Sequence, residues 1–106
     1  ARDNYVSRGI TDFSEQKKGL NYADYLLKQN RVTTTEEADK LAIATLQYRE
    51  ELISYGNYDI IFDDAKKDRF IEKQIDKYKG TDKEDKARET FREFIKNVKE
   101  FDKVNN

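Results

Sequence analysis

Five apolar residues, Ala87, Phe91, Phe94, Val98 and Phe101, stand 4, 3, 4 and 3 residues apart. An α-helix, with about 3.6 residues per turn, brings such a series onto one face. Thr81 and Glu84 precede it at capping-box spacing, so the helix is expected to start there and to run to Phe101. The same step is the rhythm of a coiled coil, with Ala87, Phe94 and Phe101 at d and Phe91 and Val98 at a. Positions e are then Arg88, Ile95 and Asp102, and positions g are Thr90, Asn97 and Val104, so charged pairs at e and g are largely missing. Phe also suits a two-stranded seam poorly. Packing within a bundle, or a lateral assembly contact, is therefore expected in preference to a dimeric coiled coil.

A second helix is marked as clearly. Thr34 stands three residues before Glu37, and the face Ala38, Leu41, Ala42, Thr45, Leu46, Leu52 and Ile53 keeps helical spacing up to Gly56-Asn57. Ile43, Tyr48 and Tyr55 widen that arc, so residues 35–55 should form a central helix with more than one neighbour. Residues 20–29, with Tyr22, Ala23, Leu26 and Leu27, read as a short amphipathic helix. Asp63 and Asp64 should cap a helix that reaches Tyr78 and ends at Lys79-Gly80, facing Phe70, Ile71, Ile75 and Tyr78 inward. Tyr58-Asp59-Ile60-Ile61-Phe62 has strand character, but no second comparable run can pair with it, so it reads as a buried connection. Tyr5, Val6, Ile10 and Phe13 follow no period, and residues 1–19 are expected to form an extended arm, free-standing or folded back so that Ile10 and Phe13 cover the bundle. The expected fold is thus all-α: a small bundle of about three to four helices over residues 20–102, an extended N-terminal arm over 1–19 and a polar tail over 103–106.

The supply of apolar residues fits one small domain. Leu, Ile, Val and Phe number 24 of 106 residues, with 7 Tyr added, while 41% of the chain is charged and the net charge is −1. Disorder couples low hydrophobicity to high net charge, and this chain has only the first. A thin core can form.

Composition also excludes several kinds of chemistry. With no Cys and no His there is no disulfide, no thiolate zinc site, no imidazole acid or base and no nucleophile activated by one. Asp64, Asp68, Glu72 and Asp76 place four carboxylates at successive i, i+4 steps, a spacing that could chelate a hard cation. The calcium-loop pattern is absent, and pairs such as Arg69 with Glu72 and Lys73 with Asp76 can neutralise the ribbon, so a solvated, self-paired face is expected and no metal. Asp85, Glu89 and Glu93 stand three residues before Arg88, Arg92 and Lys96 and repeat the striping, which could set register against a like-patterned neighbour. Reversing the charges of Arg88, Arg92 and Lys96 together should abolish such an association. Adjacent carboxylate pairs such as Glu50-Glu51 diverge on a helix and form no catalytic dyad. No catalytic residue, no enzyme activity and no cofactor are expected.

Lys17-Lys18 and Lys66-Lys67 are the only adjacent basic doublets, too few for a phosphate-binding surface, and a nucleic-acid contact, if made, would fall to the arm. Nothing resembles a membrane span or a secretory signal, and an Ala1 left by removal of Met fits synthesis in the cytoplasm. Lys, Asn, Ile, Tyr and Phe make 42 of 106 residues, a bias of A/T-rich coding sequence that suits a low-G+C bacterium or its phage. The leading expectation is a non-enzymatic structural or interaction protein, a small component of a larger assembly such as one lining or bracing a phage capsid, and then virion-associated. Its partner contacts are expected at Tyr5, Val6, Ile10 and Phe13 of the arm and at Arg88, Phe91, Arg92, Phe94 and Phe101 of the last predicted helix. Partners would be proteins, including further copies of the chain. The alternatives are a soluble phage- or plasmid-encoded adaptor or inhibitor of a host protein, and a nucleic-acid-associated replication or packaging accessory.

Overall fold

Asp12 decides how the N-terminal part of the chain folds. Its side chain accepts a hydrogen bond from the Glu15 amide at 3.0 Å, an N-cap that starts helix α2 (Phe13–Lys28). The computed structural model describes residues 2–106 and places a further short helix, α1, over Arg2–Val6. The extended arm expected over residues 1–19 is therefore corrected: α2 runs through the expected boundary at residue 19, and Ala1 lies outside the described residues. The physical reason lies on the buried face of α2, whose first half presents Gln16 and Gly19. The ring of Tyr5, from α1, lies on Gly19 so closely that a Cβ there would stand 2.6 Å from the Tyr5 hydroxyl oxygen. Another element supplies the apolar surface over that turn, so the local sequence shows no period. Asn4 ties α1 to the next helix by donating to the Asp39 carboxylate at 2.9 Å.

Removing the Asp12 cap by Asp12→Ala is expected to cost about 1 kcal/mol. Hydrogen exchange should speed up at the Glu15 and Gln16 amides, and unchanged protection there would mean that the cap does not hold the helix start.

Helix α3 (Thr35–Ser54) is the expected central helix, with the Thr34 hydroxyl accepting from the Glu37 amide at 3.1 Å. Its end is closed by Gly56, whose φ of +73° few other residues adopt without strain. Tyr58–Phe62 forms a 3-10 turn that buries Ile60 and Ile61, in keeping with a buried connection. Asp63 then caps α4 (Asp64–Gln74) by accepting from the Lys66 amide at 3.1 Å.

Helix α4 stops four residues short of Tyr78. The amides of Tyr78 and Lys79 bond three residues back, to Ile75 and Asp76, and this tighter winding makes a 3-10 turn over Asp76–Tyr78. Asp76 consequently leaves the carboxylate ribbon of α4. Helix α5 (Glu84–Val104) starts from Lys83, and the box expected between Thr81 and Glu84 takes a looser form. The Thr81 hydroxyl accepts from the Lys83 amide at 3.2 Å and the Glu84 carboxylate from the Gly80 amide at 2.9 Å.

The described residues thus form an all-helical bundle of five α-helices and two 3-10 turns. Its interior divides into two clusters. Tyr22, Ala23 and Leu26 of α2 meet Ala38, Ala42 and Leu46 of α3 and Phe101 of α5 in one. Leu52, Ile60, Ile61, Ile71 and Ile75 meet Ile95 and Val98 of α5 in the other. Helix α5 spans both, so its stripe packs within its own chain.

Candidate functional site

The aromatic series of α5 separates into a buried end and an exposed end. Phe101 is fully buried, its ring 5.4 Å from that of Tyr22 between centroids, and has no surface to offer a partner. Phe91 and Phe94 are half-buried, and the ring of Phe94 lies 5.6 Å from that of Tyr48 on α3. Phe91 lines a groove of about 530 Å³ together with Tyr48, Leu52 and Tyr55 from the C-terminal half of α3 and its cap, and Phe70 of α4. Glu51, Asn57 and Gln74 form its polar rim. Phe70, Asn57 and Gln74 also border a second hollow that continues past Arg69 and Lys73.

This groove is exposed because its walls are helices of unequal length meeting around a 3-10 turn. Tyr55 stands just beyond the end of α3 and is 73% exposed. The Tyr48 hydroxyl is buried and makes no hydrogen bond among the described residues. Burial, with the nearby charge of Glu51, pushes it up to about 12.

The charges around the groove are set by pairs that run between helices. The sequence expectation of Arg69 with Glu72 and Lys73 with Asp76 is corrected, because Glu72 is taken by Arg88 of α5 through two hydrogen bonds, at 2.8 and 3.1 Å. A forked, two-point contact outcompetes single exposed pairs on one helix. Lys79 pairs with Glu72 at 3.7 Å and with Asp76 at 3.8 Å. Among the described residues Arg69 and Lys73 then have no ion pair, and they leave the second hollow, which the paired Asp59 and Lys66 also line, net positive.

Arg88 also binds Glu84 and Asp85, and its hydrogen bonds with Glu72 and then Glu84 hold its guanidinium above the ordinary range. It clasps α4 to α5 and is not free for a neighbour. Arg92 is half-exposed and pairs with Glu89 at 3.5 Å. At the other end of the molecule Tyr5 is fully buried, and Ile10 is half-buried against the Tyr22 cluster. Val6 and Phe13 are exposed by 53% and 74%, with the Arg2 guanidinium 4.7 Å from the centre of the Phe13 ring.

Another group of titratable side chains lies where α2, α5 and the α2–α3 connection meet. Tyr22 donates to Glu100 at 2.6 Å and Tyr25 at 3.4 Å. Arg31 bonds both Glu100 oxygens at 2.8 Å and reaches the Asn97 carbonyl oxygen at 3.0 Å. Half a turn on along α5, Asp102 accepts from Arg49 at 2.7 Å and from the Tyr58 hydroxyl. Both oxygens of each carboxylate are engaged by the chain itself, so these groups brace the bundle. Among the described residues, no group of three or more acidic side chains is placed to hold a metal ion, and no helix is long and apolar enough to cross a membrane.

Comparison of the chain with protein-family models, with curated proteins and with solved structures gave no match.

Of the residues singled out in the sequence, the structure brings Phe91 to the groove, packs Phe94 on Tyr48 beside it, and leaves Val6 and Phe13 on a separate surface. Tyr48, Tyr55 and Phe70 were not singled out as contact residues. For Tyr48 and Tyr55 the signal was present in the excess width of the apolar arc on α3; Phe70 lies on α4, where its spacing in the sequence faces it inward.

Proposed function

We propose that the protein works by packing against other proteins, as a small helical component of a larger assembly, and that it catalyses no reaction. The observation that carries this reading is the aromatic groove of Tyr48, Leu52, Tyr55, Phe70 and Phe91, an apolar surface left uncovered on a bundle with few apolar residues to spare. In its finer form the assembly is a phage particle, with this chain lining or bracing the capsid. The absence of Cys and the A/T-rich composition support that form.

A second reading is favoured by the closure of both interior clusters within one chain. A bundle complete in itself suits a soluble adaptor or inhibitor that binds one target.

One experiment separates them. A photo-crosslinking amino acid at position 55, in cells that make the protein naturally, should give covalent adducts with one or a few proteins, further copies of the chain included. Adducts that sediment with a particle in fixed proportion support the assembly, and a small soluble complex of fixed ratio supports the adaptor. Adducts absent from every fraction would overturn both. Release of the protein from particles by nuclease, with binding that weakens steeply in salt, would instead indicate a nucleic-acid accessory.

A further inference from the structure

The 3-10 turn before α4 carries a feature that complements the groove. Phe62 projects from it, 67% exposed, its ring held edge-on by Tyr58 at 5.7 Å between centroids. Asp59, Asp63 and Asp64 surround this aromatic knob and outnumber the nearby Lys66 and Lys67, so the knob is net negative. The side chain of Asp64 is 94% exposed. The groove and the hollow it continues into differ from the knob: the groove has aromatic walls with Glu51 as its one charged lining residue, and the hollow beside α4 is net positive, lined by the paired Asp59 and Lys66 and by Arg69 and Lys73, which have no ion pair among the described residues. Phe62 is not among the residues lining its own groove. Knob and groove nevertheless flank the same helix, α4.

From this we infer that the groove is filled by Phe62 of a second copy of the chain. Because each copy presents both features beside α4, a two-fold axis between them seats each knob in the other's groove, the closed and self-complementary arrangement of an isologous dimer. Asp64 of each copy then faces Arg69 and Lys73 of the other, which fixes the register. The inference deepens the proposed assembly role and rests on it for the identity of the site.

Sedimentation equilibrium on the purified chain tests it between about 1 μM and 1 mM, the range in which a small interface equilibrates. The mass should rise from 12.6 kDa towards twice that value, less so at high salt. Phe62→Asp should weaken association by about tenfold or more, the loss of a central aromatic anchor, with an unchanged melting temperature showing that the fold is intact. The double change Arg69→Glu with Lys73→Glu should also weaken it, and adding Asp64→Lys to that variant should restore part of the affinity. A chain that stays monomeric throughout, or a dimer indifferent to Phe62→Asp, overturns the inference. Crosslinks from position 55 to other proteins alongside a strictly monomeric chain would remove the self-contact and keep the proposed function. Loss of those crosslinks with dimerisation intact would do the reverse.

Discussion

Replacing Tyr5 by alanine is expected to lower the unfolding free energy by about 3–5 kcal/mol, the usual cost of deleting a fully buried aromatic ring, and to release α1 from the bundle. Tyr5→Phe should behave in the opposite way. The Tyr5 hydroxyl is buried without a hydrogen-bond partner among the described residues, so its removal relieves a desolvation cost and should leave stability unchanged or raised. Gly19→Ala should resemble Tyr5→Ala, because the new methyl group takes the place of the ring. Urea unfolding of the three variants checks the set, and a loss above about 1 kcal/mol for Tyr5→Phe would show that the hydroxyl is bonded after all.

The same residue gives a pH dependence. Burial, and then the negative charge of Asp39, hold the Tyr5 phenol above its ordinary value of 10.0. Tyr22 is raised in the same direction by burial and by its bond to Glu100. The unfolded chain therefore loses these protons first, so stability is full below pH 10 and falls as the pH rises beyond it. The urea midpoint should hold up to about pH 10 and drop as the pH rises further, less steeply in Tyr5→Phe.

The second large effect is expected at the Arg31–Glu100 pair. Arg31→Ala should cost about 2–3 kcal/mol, because it leaves a mostly buried carboxylate with only tyrosine hydroxyls for partners. Burial pushes Glu100 up, but the hydrogen bonds and charge of Arg31, with the hydroxyl of Tyr22, outweigh it and hold the carboxyl below its ordinary range. A depressed native value means that this contribution is complete above the ordinary carboxylate range and disappears as the pH falls through the lowered one. Glu100→Gln should therefore be less stable than the parent at pH 7, with the gap closing in acid. Acid unfolding curves that run parallel for the two proteins would discount Glu100 as a source of the pH dependence.

How legible each element was in the sequence depended on where its apolar cover comes from. Helix α3 and the body of α5 carry their own, at helical spacing, and Thr34 and Asp63 announce the caps of α3 and α4 by type and position. The start of α2 was illegible for the opposite reason, since its inner face is Gln16 and Gly19 and Tyr5 covers it from fourteen residues away. The signal that could have found it is Asp12 three residues before Glu15, a cap spacing weakened by the exposed Phe13 between them. Charge was legible as a pattern along each helix and not as pairing, because Arg88 reaches Glu72 across two helices. The groove shares that limit: Phe91 announces a face on α5, but only the packing of α3, α4 and α5 shows which part of the face remains open.

Helix α5 is the common partner of α2, α3, α4 and the 3-10 turn before α4. It supplies Glu100 to Arg31, Asp102 to Arg49 and Arg88 to Glu72, and Asn105 to the Lys18 carbonyl oxygen. During synthesis, the preceding helices must therefore wait for α5 to leave the ribosome before either interior cluster can close. Until then α1, α2 and α3 can pair, but the isoleucines of the second cluster stay open on the side that α5 will cover, to chaperones or to other nascent chains. Folding should await the emergence of α5 and then come as a single late event, and a chain cut before Phe101 should stay unfolded and be degraded.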